Sequence, residues 1–302
     1  MKKDLTEVVF ILDRSGSMSG LESDTIGGFN SMLEKQKKEE GEALLSTILF
    51  SNGSDVLHDR LPISSVSPIT DKEYQVGGCT ALLDAVGGAI RHIGHLHKAL
   101  PEEERPEKTL FIITTDGMEN SSTRYTYDKV KKMVEKKKEK NHWEFVFLGA
   151  NIDAVQVAGR FGVSAGRAVR YENDAEGAAL NYEVASQMIS SARMAGSAAA
   201  MSACYDDADF VGTIRADYEE YKAMSARTNE HPDYSAVDMD VLEKSLPSLT
   251  GREREIIKKL YGLDGEEKHY YEELANEIGT TSGRIRQTEV KALRKIGQMK
   301  PV

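Results

Sequence analysis

Asp13-Arg14-Ser15-Gly16-Ser17 sets a carboxylate and two hydroxyls on alternate residues of a short loop. Further along, Gly77-Gly78-Cys79-Thr80 offers a third hydroxyl in a flexible stretch, and Thr114-Thr115-Asp116-Gly117 a second carboxylate. Asp13, Ser15, Ser17, Thr80 and Asp116 form a set of hard oxygen donors that suits Mg²⁺, and also Mn²⁺ or Ca²⁺. The set has no histidine or cysteine, so zinc is disfavoured. Hydroxyl ligands are neutral and leave the ion much of its positive charge. An acidic group of a partner protein can then be drawn to an open coordination position, which is binding rather than bond-breaking chemistry. Asp, Ser and Gly are also ordinary turn residues, so the alternative is that these are turn and capping positions of an α/β sheet without a working site. Glu119, Asn120 and Ser121 belong to the same rim, either as partner contacts or as loop supports.

A second set lies near the C-terminus. A helical stretch after Ser282 carries Arg284, Arg286, Lys291, Arg294 and Lys295 against a single acid, Glu289. Arginine and glutamine pair with base edges and lysine with phosphates, so Arg284, Arg286, Gln287 and Lys291 are the candidate DNA contacts. The alternative is a protein-interaction module with a solvated basic face. His92 and His95 share a helix face, but no carboxylate completes a metal clip at helical spacing. No Walker-type glycine loop and no nucleophile elbow is present. With neither base nor nucleophile in view the chain reads as a non-enzyme, and a metal-dependent hydrolase is the remote alternative.

The elements that must position these residues follow from the apolar runs. Val8–Leu12, Leu44–Phe50, Leu110–Ile113 and Phe145–Leu148 lack alternation, as strands buried on both faces do. Helical stretches over Leu21–Lys38, Thr80–Leu100 and Tyr127–Lys140 alternate with them. The pattern is that of an α/β fold with a doubly wound, mostly parallel six-stranded sheet. Asn52-Gly53 predicts a hairpin and one antiparallel edge strand. Helices near 152–160 and 175–194 and a strand near Ala168–Tyr171 complete the domain at residues 1–195. In such a sheet ligands bind at the carboxyl ends of strands, which is where Asp13 and Asp116 fall. Residues 196–245, rich in Ala, Ser and acids, read as a partly helical connector. Residues 246–302 read as a small all-α unit. Thr250 and Glu253 have capping-box spacing. Gly279 stops one helix, Ser282 caps the next, and Leu274, Ala275, Ile278, Ile285 and Leu293 fill the space between. This is a helix-turn-helix, whose second helix enters the major groove.

The chain has 302 residues and a net charge of −10, which argues against coating nucleic acid or anionic membranes by bulk charge. Two distant cysteines, Cys79 and Cys204, make no disulfide framework. The first apolar run is too short for a signal-peptide core, and no stretch is long enough to span a bilayer, so a cytoplasmic location without membrane contact is expected.

The sequences DRSGS, GGCTALLDA and TTDGMENSS, in that order, resemble the von Willebrand factor A family and its metal-ion-dependent adhesion site. The resemblance covers roughly residues 5 to 195. It implies direct coordination by Ser15, Ser17 and Thr80, with Asp13 and Asp116 acting directly or through water. LTGREREIIKKLYGLDG and YYEELANEIGTTSGRIRQTEVKALRKIG resemble region 4 of the sigma-70 family. That implies contact with promoter DNA, with RNA polymerase, or with both. Arg284, Arg286 and Gln287 match the start of the family's recognition helix. Ser282-Gly283 stands where the family has Arg-Glu, a departure at the positions that read the −35 element. The combined expectation is a cytoplasmic, Mg²⁺-dependent protein-binding module joined to a DNA- or polymerase-binding helix-turn-helix. A protein-interaction scaffold without DNA binding is the alternative.

Overall fold

The computed structural model describes residues 1–150, 153–171, 175–206, 237–263, 265, 268–278 and 282–297. The chain divides into two compact units, Met1–Gly212 and Thr213–Val302.

The first unit is built on a six-stranded sheet. Its strands are β1 (Lys2–Asp13), β2 (Glu42–Phe50), β3 (Ser54–Pro62), β4 (Pro106–Thr115), β5 (Glu144–Ala150) and β6 (Ala168–Tyr171). Their order is β3-β2-β1-β4-β5-β6. All neighbours are parallel except β2 and β3, which form the antiparallel edge hairpin expected around Asn52-Gly53. The sheet winds outward in both directions from β1 and β4, the two strands that end in Asp13 and one residue short of Asp116. Successive strand residues face opposite sides. Phe10 meets Phe29 edge-on at 5.6 Å and stacks on Tyr182 at 6.1 Å. These rings belong to α1 (Glu22–Lys37) and α5 (Ala175–Met194). Val9 and Ile11 face the other way, into a core shared with α2 (Leu82–Ala99), α3 (Tyr127–Asn141) and α4 (Ala154–Arg160). The apolar runs without alternation are thus explained by helices on both faces. Trp143 is buried in that core, 5.2 Å from Phe111.

The expected connector is divided between the units. Its first part is α6 (Ala198–Asp206), which buries Ala198, Met201 and Tyr205 in the first unit. Arg167 ties this helix down. It is buried, donates to Glu144 at 2.6 Å and to Asp206 at 2.7 Å, and is held above its ordinary range, the two carboxylates outweighing the cost of burial. Its last described part, α7 (Met239–Ser245), supplies Leu242 to the core of the second unit.

That core also takes in α8 (Gly251–Tyr261), α9 (Tyr271–Ile278) and α10 (Ser282–Lys295). The capping box predicted at the start of α8 is present. Thr250 Oγ1 accepts from the Glu253 amide at 3.3 Å, and Glu253 accepts from the Thr250 amide at 2.7 Å. Gly262 ends α8 at φ +65°. Leu274, Ala275, Ile285 and Leu293 are buried between α9 and α10, as their spacing predicts. No helix among the described residues is long and apolar enough to cross a membrane.

Candidate metal centre and helix-turn-helix

Three loops at the carboxyl end of the sheet are stitched together by their backbones. Arg14 donates its amide to Phe50 at the end of β2, Gly16 to the Gly78 carbonyl at 2.9 Å, and Gly77 to the Arg14 carbonyl at 2.9 Å. Gly78 has φ +83°, a conformation that favours glycine, and a side chain there would run into Asn52. Asn52 in turn accepts the Cys79 amide at 2.6 Å. The residue before Thr80 is therefore fixed from two sides. Thr80 itself is held by Asn120, whose side chain accepts the Thr80 amide at 2.9 Å and whose amide donates to the Thr80 carbonyl at 3.1 Å.

The oxygens converge. Ser15 Oγ lies 3.0 Å from Ser17 Oγ, and Ser17 donates to Asp116 Oδ1 at 2.5 Å. A Cβ on Gly117 would sit 3.0 Å from Ser17 Oγ and 3.1 Å from Thr80 Oγ1. Glycine at 117 is what lets these two hydroxyls share one space. Asp13, Ser15, Thr80 and Asp116 are buried, and Ser17 is exposed. Asp13 has both oxygens engaged by the protein. Ser15 N–H donates to one at 2.7 Å and Thr115 Oγ1 to the other at 2.5 Å. Its carbonyl accepts from the buried Tyr74 hydroxyl at 2.5 Å. Burial pushes the Asp13 carboxyl up to about 6, against the hydrogen bonds from Thr115 and Ser15.

This donor set fits a hard divalent ion. Oxygens about 2.1 Å from an octahedral ion and at right angles to one another stand about 3.0 Å apart, the separation found between Ser15 and Ser17. Two buried carboxylates in one rim also call for a compensating cation. Ser15, Ser17, Thr80 and Asp116 would hold the ion, and Asp13 would orient the Ser15 loop. The ion supplies an electrophilic position for an acidic ligand. Among the described residues no group of three or more His, Cys, Asp or Glu is gathered, so any such site depends on the hydroxyls. His92 and His97 instead face the carboxylates of Asp59 at 2.9 Å and Glu7 at 2.6 Å. Glu119 and Ser122 are loop supports: Glu119 accepts the amides of Leu83, Ser121 and Ser122, and Ser122 Oγ accepts that of Asp84.

In the second unit, α9 ends at Ile278 and α10 begins at Ser282. Residues 245–297 match the family model described as Sigma-70, region 4. This segment is similar to sigma-70 region 4. RNA polymerase sigma factor SigA of Nostoc sp. (strain PCC 7120 / SAG 25.82 / UTEX 2576) is 47% identical over 55 residues, covering 18% of this chain and 14% of that protein. The chain thus spans a small part of that relative's length. Solved structures similar to this chain include a von Willebrand factor type A protein from Catenulispora acidiphila. It is 17% identical, with TM-score 0.43, over 62% of this chain and 42% of that one. Another is proximal thread matrix protein 1 from the mussel byssus with a zinc-occupied MIDAS motif, 12% identical with TM-score 0.42 over 61% and 46%.

Within the region 4-like segment the four expected DNA contacts separate. Lys291 is exposed on α10. The side chains of Arg284 and Gln287 lie outside the described residues. Arg286 is corrected: it is 5% exposed, and its guanidinium packs 4.4 Å above the Tyr271 ring. A guanidinium so placed packs within the core of the second unit. Glu289, which the sequence set against the basic stripe, is buried too. It accepts from the Tyr261 and Tyr271 hydroxyls, each at 2.6 Å. Among the described residues the exposed bases of α10 are Lys291 and Lys295, and Lys295 pairs with Glu253 at 3.1 Å. Sequence reasoning missed Tyr74 and Thr115 beneath Asp13, and Asn52 behind Cys79. Thr115 and Asn52 stand inside motifs that the sequence singled out for other reasons, Tyr74 stands in none, and only the fold brings the three to the loops they hold.

Proposed function

We propose that the chain is a cytoplasmic, non-catalytic adaptor for transcription. In this reading the first unit binds a protein partner through Mg²⁺, or Mn²⁺ or Ca²⁺, at Asp13, Ser15, Ser17, Thr80 and Asp116. The second contacts DNA or RNA polymerase. The convergence of three hydroxyls and a carboxylate around the space left by Gly117 is the observation that carries the first half. A partner's Asp or Glu completes the coordination. The match of residues 245–297 to Sigma-70, region 4 supports the second half.

Two observations favour polymerase or another protein as the target of the second unit over direct reading of a −35 element. Arg286 is in the core, and Ser282-Gly283 stands at the start of α10. If DNA is bound, Arg284, Gln287 and Lys291 are the contacts. Lys291→Ala then lowers affinity uniformly across sequences and reduces the salt slope by about 1.

Calorimetric titration with MnCl₂ and MgCl₂ tests the metal reading. The chain takes up one ion, and Thr80→Ala and Asp116→Ala each lose at least tenfold in affinity, the order expected when a ligand is removed. No uptake by the unaltered chain sinks the reading.

A further inference from the structure

Beside the metal rim the surface falls into a cleft of about 720 Å³. Arg14, Arg91, Arg124 and Lys129 line it, with Asp55 and Asp84 as its acids. Neither acid cancels the excess of positive charge. Asp55 is paired with Arg14. Asp84 is spent on the backbone: its carboxylate accepts the amides of Thr123, Arg124 and Tyr125 at 2.9–3.0 Å. Burial alone raises the Asp84 carboxyl, but those amides and the nearby Arg124 together hold it below its ordinary range. The Arg91 and Arg124 side chains are exposed and have no hydrogen bond or ion pair among the described residues. Lys129 lies against the cleft wall, its ammonium 4.4 Å from the Tyr125 ring.

The cleft and the metal rim share their walls. Arg14 sits between Asp13 and Ser15, Asn52 lines the cleft and holds Cys79, and the strand of loop that begins at Asn120 beside Thr80 continues to Tyr125 in the cleft. In a chain of net charge −10, a local surplus of guanidinium groups next to a cation site is a specific feature.

We infer that this cleft is a second recognition site for the same partner, one that takes acidic side chains flanking the residue that completes the metal. The proposal rests on the metal reading above and names the ligand class: an extended acidic peptide segment rather than a lone carboxylate. A peptide is favoured over a nucleic-acid strand because the cleft adjoins the rim whose open coordination position takes a partner's carboxylate in the reading above. The volume is that of a site for a few side chains. Guanidinium groups that pair bidentately with carboxylates give the register.

The test is fluorescence anisotropy with fluorescein-labelled hexaglutamate and the full chain, at low salt, with saturating MnCl₂ and separately in EDTA. The unaltered chain binds the peptide. Arg91→Ala/Arg124→Ala weakens binding by roughly tenfold, as expected for losing close charge pairs. The same variant keeps the manganese affinity of the unaltered chain by calorimetry. A variant that binds hexaglutamate as tightly as the unaltered chain overturns the cleft and leaves the metal reading standing. So does an unlabelled hexathymidylate that displaces the peptide and binds tighter through the same arginines. Absence of manganese uptake overturns the metal reading alone, because the arginine dependence measured in EDTA still decides the cleft.

Discussion

Arg286 and Glu289 show how far a residue's chemistry depends on what folds over it. In the sequence both belong to a basic helix, one as a DNA contact and the other as its counter-charge. In the folded unit Tyr271, eighteen residues before Glu289, covers both. Burial raises the Glu289 carboxyl above its ordinary 4.5, against the two tyrosine hydroxyls and Arg286. The folded unit holds the proton over a pH range in which the unfolded chain has released it. Stability of the second unit therefore declines as pH rises from 4.5 toward the raised value. Glu289→Gln removes that decline. Urea midpoints for the two proteins between pH 4.5 and 7 measure it, and parallel curves would contradict the assignment. At the candidate rim, by contrast, the five oxygen-bearing side chains could be picked out in the sequence, Asp13 as the last residue of β1 and the others in the stretches that follow a strand or precede a helix. What was not legible was their support. Tyr74 and Thr115 touch Asp13 only because β1, β4 and the 70s loop meet at one edge.

At the level of elements, apolar contrast decided what could be read. The strands stand out because both faces are covered. The hairpin stands out through Asn52-Gly53, and α8 through its capping box. Thr250→Ala removes one of the two reciprocal bonds of that box and destabilises the second unit by about 1 kcal/mol. Thermal denaturation followed in the helical far-ultraviolet signal resolves such a change, and the Glu253→Gln variant, which keeps the box, should change it little. The stretch at 196–206 could be read only as part of a partly helical connector, for the opposite reason. Alanines and serines give little hydrophobic contrast, although Ala198, Met201 and Tyr205 stand at the i, i+3, i+7 spacing of a buried stripe. A short helix whose face is made of small residues is recognised only once its partner surface is known.

For the whole molecule, two compact units with separate cores imply two unfolding events. An ion bound only by the first shifts only the first. At a hundredfold excess over Kd the shift is worth about 2.7 kcal/mol, which for a unit of this size is roughly 5–10 °C. Scanning calorimetry with MgCl₂ and with EDTA checks this, and an equal shift of both transitions would show that the ion is not confined to the rim. The latch of Arg167 on Glu144 and Asp206 bears on how this unit takes mechanical load. Tension applied to the chain after Asp206 meets this pair at the very end of α6. The same guanidinium reaches Glu144 of β5, the strand beside β4 and Asp116, so the end of α6 is anchored to the sheet that carries the rim.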